Sequence, residues 1–191
     1  MLLLFTAVMA APTCWAQNKM ARIGYLAMSE AETHFFLPPM RKILAERGWT
    51  EGKNLVIEGR FASGEPPQYA DAVKELAALK LDLIYAAGAP SLRAIFPSLR
   101  NTPIVTSDYS SDPVASGYVE SYSRPGMNVT GVFLDAPQFA GKWLDILNGL
   151  VPNLKRLAVL WNPGAGSVHL MATQQIAKKL RIHAQVYEVR S

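Results

Sequence analysis

Short apolar runs alternate with helical stretches along most of this chain. Ile23 to Ala27 forms a run of strand type. Phe36, Met40, Ile43 and Leu44 then recur at helical spacing, with Pro38-Pro39 placed near a first turn and Gly48 as the stop. Leu55-Val56-Ile57 predicts a second strand, and Tyr69, Val73, Leu76 and Leu79 mark a second helix face. Leu81 to Ala86 predicts a third strand, after which Gly88-Ala89-Pro90-Ser91 opens a helix that Pro97 ends. Pro103 to Thr106 predicts a fourth strand. A loop rich in Ser, Asp and Gly follows, then a fifth strand over Asn128 to Leu134.

Strands separated by single helices pair in parallel through right-handed crossovers. The expected fold is therefore a doubly wound α/β layer over residues 21–134. Its ligand sites belong beyond the C-terminal strand ends, where the strand-to-helix loops converge.

A second unit begins near Asp135 and occupies residues 135–191. Pro137 suits a first helical turn, and Phe139, Trp143, Ile146, Leu147 and Leu150 form an apolar stripe expected to pack into a core. Strand Leu157 to Trp161, a glycine-rich loop, helix Ser167 to Arg181 and strand Ala184 to Val189 complete the pattern. A βαβ unit with one extra helix neither closes a sheet nor covers both its faces, so the second lobe is expected to be incomplete.

Composition narrows the function classes. Half of the 191 residues are hydrophobic and 18% are charged, as a packed core requires. The net charge is +4, but basic residues never run longer than a pair, so no nucleic-acid partner is expected. Leu2 to Ala11 is apolar apart from Thr6, with no Lys or Arg before Lys19. This run suits the core of a secretory signal over residues 1–16, cleaved after Ala16; the competing reading is a buried N-terminal helix. Cys14 is the only cysteine, so cleavage leaves no disulfide, thiolate nucleophile or cysteine-bound metal.

The loop in "VLWNPGAGSVHLM" invites an anion. Gly164-Ala165-Gly166 supplies two glycines of a dinucleotide fingerprint, and Glu188 lies where a ribose-binding acid belongs. His169 occupies the third glycine position and would obstruct close helix–strand contact. Ser167 is a candidate N-cap, directing free N–H groups at the loop. Ala89-Pro90-Ser91 repeats the arrangement in the first unit. Asp108 follows the fourth strand and has two readings: partner for a ligand ammonium, or a turn aspartate bonded to its own backbone. Asp112, before Pro113, reads as a cap. His34, His169 and His183 lack metal-ligand spacing, no Gly-x-Ser-x-Gly elbow exists, and the sequon Asn128-Val129-Thr130 is expected to be incidental at a strand. No catalytic residue, metal or cofactor is expected.

Several runs are familiar together: "RGWTEGKNLVIEGRFASG", "LDLIYAAGAPSLRAI", "SDPVASGYVESYSRPGMNVTGVFLDAPQFAGKWLDIL" and "RLAVLWNPGAG". They resemble the substrate-binding proteins of ABC transporters, within the family that includes tryptophan- and other hydrophobic-amino-acid-binding members. The resemblance runs from about Arg22 to Arg190. It implies the type I periplasmic-binding fold, with two Rossmann-like lobes clamping a ligand. It implies ligand contacts from Met28, Ser29 and Glu30, from Ala89, Pro90 and Ser91, from Ser107 and Asp108, and from Pro163, Gly164, Gly166 and Ser167. Position 89 is often threonine in the family, and Met127 stands where glycine is usual. Family chains continue past the position of Ser191, finish the second lobe and cross back to the first. The implied function is periplasmic capture of a small solute, possible amino acids included, by a monomer that delivers it to permease membrane subunits. The alternatives are a nucleotide-dependent oxidoreductase using the Gly164–Gly166 loop, and the ligand-sensing domain of a receptor or regulator.

Overall fold

Alternation within each strand sorts its side chains onto two faces, and the helices cover those faces. The computed structural model describes residues 20–63, 65–163 and 166–189, so the expected signal segment lies outside the described residues. The first lobe runs β1 (Ala21–Ala27), α1 (Glu30–Glu46), β2 (Leu55–Phe61), α2 (Pro66–Ala77), β3 (Leu83–Ala87), α3 (Gly88–Ile95), β4 (Ile104–Asp108) and β5 (Val129–Phe133). Its sheet has five strands in the order β2-β1-β3-β4-β5, all paired in parallel. The doubly wound expectation therefore holds.

One sheet face presents Leu26, Ile84, Ala86, Ile104 and Val129 to α2 and α3, through Val73, Leu76, Leu92 and Ile95. The other presents Tyr25, Ala27, Tyr85 and Ala87 to Leu37 and Met40 of α1. The order reverses between β1 and β3, so their outgoing helices lie on opposite faces and leave a crevice at the strand ends.

Two details of α1 depart from the sequence reading. The helix starts at Glu30, so Pro38 and Pro39 lie in its interior rather than near a first turn. Their missing N–H groups leave two carbonyls of the preceding turn without helical donors. Its buried face is Thr33 and Leu37 with half-buried Met40 and Leu44, while Phe36 and Ile43 face solvent. The stop is as expected. Gly48, at φ +89°, and Trp49 donate to Ala45 and Leu44 carbonyls in the arrangement that commonly closes a helix.

The second lobe comprises α4 (Ala136–Leu150), β6 (Arg156–Trp161), α5 (Val168–Lys179) and β7 (His183–Glu188). Strands β6 and β7 form a parallel pair. Helices α4 and α5 pack through Ala136, Ala140 and Ala172, and further along Leu144 and Ala177 meet Ile182. The stripe expected to be core is outside: Trp143, Ile146, Leu147 and Leu150 are exposed, Leu150 by 74%. Small residues let α4 and α5 approach closely, and the large ones on the neighbouring face find no cover. Leu160 and Tyr187 on the open face of the β6–β7 pair are exposed as well.

The β4–β5 connection explains the motifs that carry the family resemblance. Asp112 accepts bonds from the Val114 and Ala115 N–H groups at 2.9 and 3.1 Å, so it is the cap the sequence suggested. Gly126 has φ +71°, with Glu120 packed where a Cβ would point. Asn128 donates to the carbonyls of Leu99 and Thr102 at 2.8 and 2.7 Å, which occupies the sequon nitrogen internally.

Candidate functional site

Parallel pairing brings the outgoing loops of β1, β3 and β4 side by side at one edge of the first sheet. These loops and the element ends beside them hold the expected residues 28–30, 89–91 and 107–108. Met28 is exposed, Ser29 occupies the cap position of α1 without a side-chain bond, and Glu30 is the exposed first residue of that helix. Thr33 closes the turn by donating to the Glu30 carbonyl.

At α3 the three expected residues part company. Ala89 is buried against the sheet. Pro90 faces outward to a groove between α2 and α3, away from the crevice. Ser91 is fully buried, with 0% exposure, and its hydroxyl oxygen has no hydrogen-bond partner. A buried hydroxyl without a partner is costly, so this atom marks a place where something polar is wanted.

Ser107 is buried and accepts a bond from the Tyr85 hydroxyl at 2.8 Å. Tyr85 in turn stacks on Tyr25 with ring centroids 5.3 Å apart. Asp108 resolves in favour of the turn reading. It is 1% exposed, and its carboxylate accepts from the N–H groups of Ser110 and Ser111 at 2.9 and 3.0 Å and from the Ser111 hydroxyl. A carboxylate so occupied shapes its own loop. Glu30 is the acid the first-lobe mouth leaves in the open, with no ion pair among the described residues.

The second-lobe loop reaches this mouth. Gly166, at φ +81°, packs beside the Ser110 carbonyl, and its own carbonyl accepts from the Trp161 indole at 2.8 Å. Gly164 lies outside the described residues, and Pro163 is exposed. Ser167 sits at the cap position of α5 but makes no side-chain cap bond, contrary to expectation; its φ and ψ of −108° and −5° are not the extended pair that aims a capping hydroxyl at the helix. The cap in this lobe belongs to Asp135, which accepts from the Gln138 N–H at 3.1 Å and closes the start of α4.

His169 is the residue that sequence reasoning missed. Its Nε2 donates to the Tyr109 carbonyl of the first lobe, and its ring stacks on Trp143 at 6.2 Å. Its Nδ1 is buried without a partner among the described residues. The partners are 60 residues apart, and no local pattern announces such a contact. Beside it, between the lobes, lies a cavity of 520 Å³ with Asp112, Tyr122, Asp135, Gln138 and Gln175 in its wall. Tyr122 stacks on Phe133 with centroids 4.7 Å apart. Desolvation there, then the hydrogen bond and charge of Asp112, with Asp135 adding to them, raise its hydroxyl above the usual tyrosine value.

Helix N-termini complete the chemistry. Helices α1, α3 and α5 all begin without a side-chain cap; α1 and α3 follow the adjacent strands β1 and β3, and α5 follows the loop that reaches Ser110. Helix α2 also lacks such a cap, but Pro66-Pro67 removes two of its donors. Among the described residues no cluster of His, Cys, Asp or Glu could hold a metal ion. The arrangement offers hydrogen-bond donors, one open acid and a gap between two lobes, which is equipment for holding a polar solute.

The family model for the ABC transporter substrate binding protein matches residues 39–191. The chain belongs to that family. A tyrosine-binding protein from Clostridioides difficile (strain R20291) is 31% identical over 123 residues, which is 63% of this chain and 34% of that protein. A conserved domain protein from Vibrio cholerae O1 biovar eltor superposes with a TM-score of 0.76 at 24% identity, over 90% of this chain and 58% of the other. An ABC domain in complex with L-Trp from Streptococcus pneumonia gives 0.77 at 23% identity, with the same coverage. These matches establish the type I periplasmic-binding fold, and this substrate-binding protein spans 58% of the length of those solved chains. The family is one of transport proteins that bind substrate rather than enzymes. The dinucleotide alternative also meets a steric fact: the ring at its third glycine position is wedged between Trp143 and Tyr109.

Proposed function

We propose that this protein is the solute-binding component of an ABC uptake system, exported to the periplasm, which captures an amino acid between its lobes and delivers it to permease subunits. The observation that carries this reading is that three helices start without a side-chain cap, two of them after adjacent strand ends of the first lobe and the third beside the contact between the lobes. Such ends favour a carboxylate through their donors and the helix dipole. The buried Ser91 hydroxyl becomes a further donor only where a solute displaces its cover, and Glu30 supplies the counter-charge for an α-ammonium. A tyrosine-binding relative and an L-Trp complex on the same fold support an aromatic member of that class.

The mechanism is capture without chemistry. Contacts from both lobes exist together only when the cleft is closed, so a ligand shifts the open–closed equilibrium by its differential affinity. The closed form is then the species the permease receives.

Calorimetry with the chain extended to the full length of its solved relatives tests this, using tyrosine, tryptophan and leucine beside their des-amino acids and NADH. The expected result is binding of at least one amino acid, weaker binding of its des-amino analogue, and none of NADH. Glu30→Gln should remove most of the preference for the amino compound. Binding of NADH with none of the amino acids would sink the proposal.

A further inference from the structure

A second surface lies on the flank of the first lobe, outside the crevice. Helices α2 and α3 run side by side over the sheet and leave a groove of 730 Å³ between them. Its floor is apolar, formed by the buried rings and branches of Tyr69 and Val73. Its walls are low because the flanking positions are Ala70, Ala77 and Ala94. Tyr69, Val73 and Ala77 recur on α2 at helical spacing, and Pro90 and Ala94 do the same on α3, so both walls run parallel to the helix axes. A trough of this kind accepts a third helix by ordinary ridge-and-groove packing.

The charges say which helix. Lys74 stands on one wall and Arg93 on the other, both exposed, and neither has an ion pair among the described residues. Among the described residues no acid lines the groove. The two acids of α2, Asp71 and Glu75, lie outside the lining, and Glu75 is bonded to Arg60 at 2.5 Å. Two unpaired cations astride an apolar trough complement an occupant that is apolar on one face and acidic at its margins.

We infer that the α2–α3 groove docks an acidic amphipathic helix of a partner protein, of about three turns to match the roughly 18 Å length of α2. A second copy packed groove to groove does not fit, because it would bring Lys74 and Arg93 against their own counterparts. Residues 1–19 do not fit either, since they contain no Asp or Glu.

The test uses the full chain and a synthetic amphipathic peptide of about 14 residues with a leucine–alanine stripe flanked by glutamates. A charge-inverted copy with lysines and vesicles of phosphatidylglycerol serve as competitors. The expected result is saturable binding of the acidic peptide, weakening with salt, with hydrogen-exchange protection over α2 and α3. The lysine copy should bind at least about tenfold more weakly. Lys74→Glu with Arg93→Glu should cost the acidic peptide a similar factor, while circular dichroism stays unchanged. Ala70→Trp, which fills the trough without altering charge, should weaken binding as well. Equal binding of the two peptides, insensitivity to these variants or protection elsewhere on the chain would each overturn the inference. Capture by the vesicles without binding of the peptide would also overturn it, in favour of a lipid surface. None of these results depends on the solute cleft.

Discussion

Gly131 faces Thr106 across the β4–β5 ladder, and a methyl group there would sit inside the Thr106 carbonyl. Backbone cannot retreat as a flexible side chain can, so Gly131→Ala should destabilise the fold by at least about 3 kcal/mol, read as a lowered midpoint in urea. Ser91 makes the opposite kind of prediction. Its buried hydroxyl has no partner, so Ser91→Ala should leave the thermal midpoint unchanged or raised. If the hydroxyl serves a solute, the same variant should lose about five- to tenfold in affinity. A drop in stability with affinity intact would assign Ser91 to structure alone. Tyr122 supplies the titratable case. The folded state holds its proton more tightly than the unfolded chain does. The stability it contributes is therefore fully present below about pH 10 and is lost as pH rises through the raised value. Asp112→Asn should bring its ultraviolet titration back toward the ordinary tyrosine range.

At the scale of elements, the alternation of strand and helix was legible, and with it the parallel sheet, because period and spacing are local properties. The Pro97 stop and the Gly48 stop were legible for the same reason. The large stripe of α4 was legible as a stripe, but not as an exposed one. Periodicity says that a helix has an apolar face and leaves open which neighbour covers it, and here α5 takes the small-residue face beside it. The β6–β7 pair has helices on one face and exposed Leu160 and Tyr187 on the other. Parallel strands are usually covered on both. This length of chain should therefore self-associate, seen as a concentration-dependent sedimentation coefficient. A chain extended to the full length of the solved relatives should sediment as a monomer and melt at a higher temperature.

Across the whole molecule, the two lobes meet through Gly166 beside Ser110 and His169 against Tyr109. His169→Ala removes a contact that ties the lobes together and leaves the three uncapped helix ends intact. Its expected effect is a larger radius of gyration in X-ray scattering for the ligand-free protein, with the ligand-bound radius unchanged. The motifs that carry the family resemblance act at this scale only indirectly. Asp112, Gly126, Asn128 and Gly131 shape the β4–β5 connection and the strand from which the second lobe departs.

By itself the sequence determined the order of elements, the fold class and the loops that gather at the strand ends, because these follow from patterns a few residues long. Tertiary structure alone decided which side chains of those loops remain available. Asp108 closes on its own loop, Pro90 turns to the outer flank, and Ser167 leaves α5 uncapped, while Glu30 stays open and Ser91 is buried without a partner. His169 joined the site across 60 residues of chain. Each of these outcomes depends on competition between a local bond and a distant one, and that competition is settled by packing.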